Sequence, residues 1–227
     1  GVKLVIQGNP EFVRHGREGF EHLAHPDQWW WPTKWRTDIL PAGVHMPAPM
    51  PDTVPVERND DDVPLRVLHV VGKRAYADRN GTEILVSALR RVRRKMHVTI
   101  IGLDGELPKV QAGPSNRNLT VEYHPDGFDN HWDMYRNQDV LVTPRRYGGL
   151  QLPALEAAAC GLAVMMPDCS PNAELASVLV PVRRQATLSL AAGPIRTAEV
   201  APLDLSEHLD RLAWDRNSLI QAKDTSQ

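Results

Sequence analysis

The sequence predicts an α/β protein centred on a doubly wound, Rossmann-like parallel sheet over about residues 65–181. Several short runs there are apolar throughout rather than alternating, as strands buried on both faces are. Segments of helical character separate most of these runs, and that alternation calls for a parallel sheet covered on both faces. A length of 227 residues, 42% hydrophobic and 24% charged, supplies one full core plus further elements.

In chain order, VKLVIQGN (2–9) is a β-prone run stopped by Gly8, Asn9 and Pro10, which reads as a buried strand followed by a turn. DQWWWPTKW then sets Trp29, Trp30, Trp31 and Trp35 around Pro32. Aromatics this dense form either a stacking or sugar platform, or a local aromatic core or protein interface; the second is the commoner use of so apolar a patch. Residues 40–64 are proline-rich and then acidic without periodicity, as a linker is. The alternation follows, with LRVLHVVG (65–72) as strand, GTEILVSALRRVRRK (81–95) as helix, and HVTIIG (97–102) and LTVEYH (119–124) as strands. HWDMYRNQ (131–138) reads as a short helix, DVLVTP (139–144) as strand, PALEAAACG (153–161) as helix, LAVMMP (162–167) as strand and NAELAS (172–177) as helix. PLDLSEHLDRLAWD (202–215) places Leu205, Leu209 and Leu212 on one face of an amphipathic helix. Ligands of such sheets lie beyond the carboxyl ends of the strands, so the loops after Val71, Ile101, His124 and Pro144 are expected to share one crevice.

Composition removes several classes. The 26 Lys and Arg against 28 Asp and Glu give a net charge of −2, so no overall field draws a polyanion and no direct nucleic-acid binding is expected. Cys160 and Cys169 form neither a disulfide framework nor a metal spacing and read as free thiols. No apolar run approaches the ~20 residues of a membrane span and GVKLVIQGNP lacks the charged start and long apolar core of a signal peptide, so a cytoplasmic location is expected of a complete chain. The arginines of LRRVRRK read as complements to a helix C-terminal dipole, and ERNDDDVP lacks the glycine and final Glu of a calcium loop. His22 and His25 lack a third ligand and Ser170 lacks a nucleophile elbow, so neither a metal site nor hydrolase chemistry is expected.

The chemistry gathers at two strand ends. In RRYGGLQLPALEAAACG (145–161) the glycines let backbone approach a ligand, and Pro153 suits the first helical position. The helix that follows offers free amides and a positive dipole end, a seat for an anion and most often for phosphate. Glu156 falls about one turn into it. It either complements the dipole, worth about 0.3–1 kcal/mol, or looks past the phosphate to accept hydrogen bonds from a ribose diol. In VVGKRAYADRNG (70–81) a glycine ends the strand and Lys73, Arg74 and Arg79 follow. Cations there are either solvated or neutralise a diphosphate without a metal, Arg through bidentate bonds and Lys as a point charge.

GGLQLPALEAAACGLAVMMPDCSPNAE resembles the signature of the retaining GT-B glycosyltransferases, whose version reads roughly EGFGLPLLEAMACGTPVV before a glycine-rich loop and a Glu. GKRAYADRNG is similar to that family's G-R-(five residues)-K-G, with Lys73 in the Arg place and Arg79 in the Lys place. PAGVHMP is similar to the PNGVD segment joining the two GT-B domains, and the resemblance covers about residues 39–215. It implies the C-terminal half of a GT-B fold, the donor-binding domain of a group 1 glycosyltransferase that uses a nucleotide-diphosphate sugar with no cofactor and no metal. By similarity Lys73 and Arg79 would hold the diphosphate and Glu156 the ribose hydroxyls, while the amides of Gly149, Leu150, Gln151 and Leu152 would meet the phosphates and donor sugar. His124, Pro125 and Asp133 are the candidates to wall the base, with Tyr147 a further base or sugar contact. Whether the donor carries UDP, GDP or another nucleotide is open.

Two departures qualify the resemblance. The family has a pair of glutamates, and the position eight before Glu156 is Gly148, so either Tyr147 or Arg146 substitutes or catalysis is altered, with retention or inversion open. Only some forty residues precede the linker. The expected organisation is therefore residues 1–40 as a remnant of an N-terminal acceptor domain, 41–64 as interdomain linker, 65–200 as the nucleotide-sugar-binding domain and 201–227 as C-terminal helix and tail. Catalytic residues of an acceptor domain cannot be named in this chain. The expected partners are a nucleotide-sugar, an unknown acceptor, and either a missing N-terminal domain or a homo-oligomer. The alternative is a non-catalytic nucleotide-binding or protein-interaction module with the same fold.

Overall fold

A computed structural model of the chain describes residues 4–7, 27–32, 34, 43–46, 48, 50, 64–71, 78–102, 117–147, 150–190 and 193–226. Its N-terminal part holds a small parallel sheet of β1 (Val5–Gln7), β2 (Gln28–Trp31) and β3 (Val44–His45), with β2 central. Trp29 and Trp31 stack in parallel, ring centroids 5.3 Å apart, and both are buried. Of the two readings of the tryptophans, a local aromatic core is therefore the one this pair follows. A Cβ on Gly43 would come within 2.5 Å of the Trp29 carbonyl, so the stretch expected as plain linker begins packed on the aromatic strand.

The predicted doubly wound sheet is present. Its strands are β4 (Leu65–Val70), β5 (Met96–Ile101), β6 (Leu119–His124), β7 (Val140–Val142), β8 (Ala163–Pro167) and β9 (Val178–Val180). All neighbours pair in parallel, in the order β6-β5-β4-β7-β8-β9. In order along the chain this is 3-2-1-4-5-6, so the winding reverses between β4 and β7 and opens a crevice at their carboxyl ends. Side chains of β4, β5, β7 and β8 alternate between two cores. One, with Val67, Val98, Val140 and Met165, is closed by α1 (Thr82–Leu89), α3 (Pro202–Trp214) and α4 (Arg216–Ser226). The other, with Leu68, Leu141, Val164 and Met166, is closed by α2 (Leu152–Ala159) and the 3-10 turn His131–Tyr135. Leu205, Leu209 and Leu212 are buried on α3, as their spacing predicts.

The structure corrects several boundaries. The helix expected over 81–95 stops at Leu89, and its last turn carries no basic residue. The Arg93 and Arg94 amides donate instead to the Asp210 carboxylate of α3 at 2.9–3.1 Å, while Val92 and Met96 turn into the core. Arg94 lies over the Trp214 ring at 3.9 Å. Two expected helices are single 3-10 turns, His131–Tyr135 and Asn172–Glu174. An antiparallel ribbon that no sequence signal marked, β10 (Val182–Leu190) with β11 (Gly193–Val200), is inserted before α3.

Candidate functional site

Both stretches singled out in the sequence meet at the switch point. Beyond β4 the chain descends into α1 through Asp78, Arg79, Asn80 and Gly81. Asp78, at φ 50°, accepts the amides of Thr82 (2.7 Å) and Glu83 (3.1 Å), so its carboxylate caps the helix from three residues before the turn proper. Asn80 Nδ2 donates to the Val70 carbonyl and ties the loop to its strand. Gly81 has φ 72° and rests on the loop after β7: a Cβ there would stand 2.2 Å from the Pro144 carbonyl oxygen. The Arg146 amide donates to the Arg79 carbonyl at 2.9 Å, which locks the two loops side by side.

A buried histidine braces this junction from beneath. His69, wholly buried on β4, has Nδ1 2.8 Å from the Val142 carbonyl and Nε2 2.8 Å from Thr82 Oγ1. A carbonyl only accepts, so Nδ1 carries the proton and Nε2 accepts from the threonine hydroxyl. Burial outweighs the Val142 hydrogen bond and lowers its pKa to about 4.

The predicted site residues fall as follows. Arg79 donates to the Tyr147 carbonyl at 3.4 Å, with its guanidinium 5.6 Å from the Tyr147 ring centroid. Arg145, almost fully buried, donates from inside the loop to the same carbonyl at 3.0 Å and to Leu150 O at 3.4 Å. Arg146, one candidate to replace the missing glutamate, is instead paired with Glu199 of β11 at 2.7 Å, and its carbonyl accepts the Ala198 amide. The unexpected ribbon thus supports the site loop. Gln151, the residue before α2, is buried; its Nε2 donates to Thr143 Oγ1 and its Oε1 has no partner among the described residues. The helix begins at Leu152, so Pro153 is its second residue rather than its first, and Leu152 is exposed on the rim.

Glu156 lies in the second turn of α2, and its side chain is 15% exposed. Its Oε2 accepts from Tyr135 Oη at 2.5 Å and lies 3.0 Å from His131 Nε2. Burial first, then the bond to Glu156 and its charge, push the Tyr135 phenol far above its ordinary range, so it stays protonated and donates. The Cys160 thiol is pushed up by burial and by the same carboxylate. Oε1 of Glu156 receives no hydrogen bond from the described residues.

Of the base-wall candidates, His124, the last residue of β6, stacks on Phe128 at 4.4 Å, Pro125 is exposed in the following turn, and Asp133 pairs with Arg136 at 3.2 Å. The structure does not bring the Asp133 carboxylate to Glu156; His131 and Tyr135 of the same turn fill that place. Sequence reasoning missed both, and no local pattern in HWDMY marks them as partners of Glu156. Lys73, Gly148 and Gly149 lie outside the described residues, as do His22 and His25. Among the described residues no three His, Cys, Asp or Glu side chains gather as a metal site, and no helix is long and apolar enough to cross a membrane.

Comparison with known proteins bears on this geometry. The family profile described as "Glycosyl transferases group 1" matches residues 66–193, more than half of the chain. A D-inositol 3-phosphate glycosyltransferase of Arthrobacter sp. (strain FB24) is 27% identical over 179 residues, covering 73% of this chain and 39% of that protein. Sucrose-phosphate synthase from Thermosynechococcus elongatus superposes with a TM-score of 0.60 at 18% identity, over 89% of this chain and 53% of that one. The apo form of WaaB, a lipopolysaccharide outer core galactosyltransferase, gives 0.58 at 16% identity, over 88% and 57%. The chain therefore spans well under half of the curated relative and little more than half of either structure.

Proposed function

The chain belongs to the group 1 glycosyl transferases, and on that premise we propose that it is the donor-binding domain of an enzyme moving a sugar from a nucleotide-diphosphate sugar to an acceptor. The observation that carries this reading is the interlocked rim at the switch point: Arg79 against Tyr147, Gly81 on Pro144, and Glu156 with one oxygen free of described protein donors. On this reading the diphosphate lies between the Arg79 loop, with Lys73, and the start of α2, where cations and helix amides stabilise the charge on the departing diphosphate. Amides of Gly149, Leu150, Gln151 and Leu152 approach the phosphates and donor sugar. Glu156 accepts from the ribose hydroxyls, and His124 and Pro125 stand where a base would rest. Binding energy from the nucleotide then positions the anomeric carbon for attack, with no metal or cofactor in the step.

Calorimetric titration with UDP, GDP and ADP, alone and as sugar conjugates, tests this. One conjugate is expected to bind, and Arg79→Ala or Glu156→Ala to weaken it by about tenfold or more, as loss of a charged hydrogen bond does. Absence of binding to every nucleotide refutes it.

A further inference from the structure

We propose that Tyr135 is a positioning residue for nucleotide recognition, its hydroxyl fixing one oxygen of Glu156 so that the other faces the ribose. This rests on the donor-site reading above. The argument begins with the carboxylate's two oxygens, which are treated unequally. Oε2 is met by both Tyr135 Oη and His131 Nε2, whereas Oε1 has no donor among the described residues. Oε1 is not among the buried atoms that lack a partner, so it stays open to solvent or to a ligand while Oε2 is held by the protein. An open acceptor oxygen beside one already held suits a ligand with two adjacent hydroxyls to donate, and a ribose diol is such a ligand.

Tyr135 is the partner able to set the direction. The residue is buried in one core with Leu141, Ala157 and Cys160, and the turn carrying it is capped by the Asn130 side chain on the Trp132 amide. His131 is 52% exposed and so much less constrained. Because the phenol holds its proton throughout the accessible pH range, the bond to Oε2 never becomes a repulsion between two anions. The plain alternative is that Glu156 merely satisfies a buried tyrosine hydroxyl, and the two differ in what the tyrosine does to recognition of the ribose.

The test is a cycle on the full chain: wild type, Tyr135→Phe and Glu156→Gln, titrated with UDP, GDP and ADP and with the 2′,3′-dideoxy counterpart of whichever binds. Wild type is expected to prefer the ribonucleotide. Tyr135→Phe should weaken the ribonucleotide by about fivefold to tenfold and the dideoxy form by less than about twofold, the size expected when one carboxylate hydrogen bond is misdirected. Equal weakening of both forms, or an intact ribose preference, overturns the positioning role while the donor site stands. Wild type binding none of the nucleotides overturns the donor site and this proposal with it; wild type binding both sugar forms equally overturns the ribose contact and this proposal. If Tyr135→Phe does not fold, His131→Ala tests the assignment from the exposed side: a ribose preference kept within about twofold supports Tyr135 as the group that directs Glu156, and a preference that is lost shows that the histidine does so and overturns the proposal.

Discussion

Replacing Gly81 with alanine tests the claim that the two site loops are pressed together, and Gly127 provides its control. Both glycines have left-handed backbone, φ 72° and 74°, so alanine meets the same backbone strain of about 1–2 kcal/mol at each. Both replacements also restrict the unfolded chain equally, which cancels in the comparison. What differs is the surroundings. A Cβ at Gly127 meets nothing within 4 Å, whereas at Gly81 it would lie 2.2 Å from the Pro144 carbonyl oxygen and 2.9 Å from its carbon. No flexible side chain can swing away, so the backbone after β7 must move, at a cost in the range of overpacking, about 1–3 kcal/mol. Gly127→Ala should therefore lose about 1–2 kcal/mol. Gly81→Ala should lose that plus the overpacking cost, about 2–5 kcal/mol in all. Urea unfolding of the three proteins measures both. Equal losses at the two glycines would refute the close approach.

Two further predictions concern the same junction. Between pH 6.5 and about 4 the unfolded chain holds a proton on His69 that the folded chain does not, so its contribution is full above pH 6.5 and falls as pH drops; wild type should lose about 3 kcal/mol relative to His69→Gln across that window. Unfolding midpoints at pH 7, 5.5 and 4 check this, and parallel curves would contradict it. Asp78→Ala strips the cap from the Thr82 and Glu83 amides and should cost about 1–2 kcal/mol of unfolding free energy, with Asp78→Asn retaining most of it.

The central sheet was legible because its four inner strands are buried on both faces, and burial of that kind leaves continuous apolar runs such as VLVT and LAVMMP. Elements whose stability comes from tertiary partners were not. β10 is largely polar and exposed, β11 is buried only at Thr197, Ala198 and Val200 among its described residues, and Arg146 with Glu199 and Ala198 anchors the ribbon, a pairing between residues over fifty apart. α1 has good helix formers up to Lys95, yet Asp210 captures two amides just beyond Leu89 and the chain leaves the helix. At the site, Arg79 and Glu156 could be nominated because each sits in a local pattern of spacing. The partners of Glu156 could not, since the topology that lays the turn after β6 beside α2 is not written in either segment.

That topology also accounts for a lone acid in a helix of small residues. Ala154 and Ala157 are wholly buried against Tyr135, Leu141 and Val164, and side chains that end at Cβ let α2 lie close on the sheet. With bulkier residues on that face the helix would stand off, and Glu156 on its flank could not meet a phenol rooted in the core. The alanines thus set the distance at which Tyr135 can reach the carboxylate, and Gly81 sets the distance at which Arg79 can lie against Tyr147. In each case the absence of side-chain volume at one position is what places a charged group at the next, so the apolar core and the polar rim are determined together.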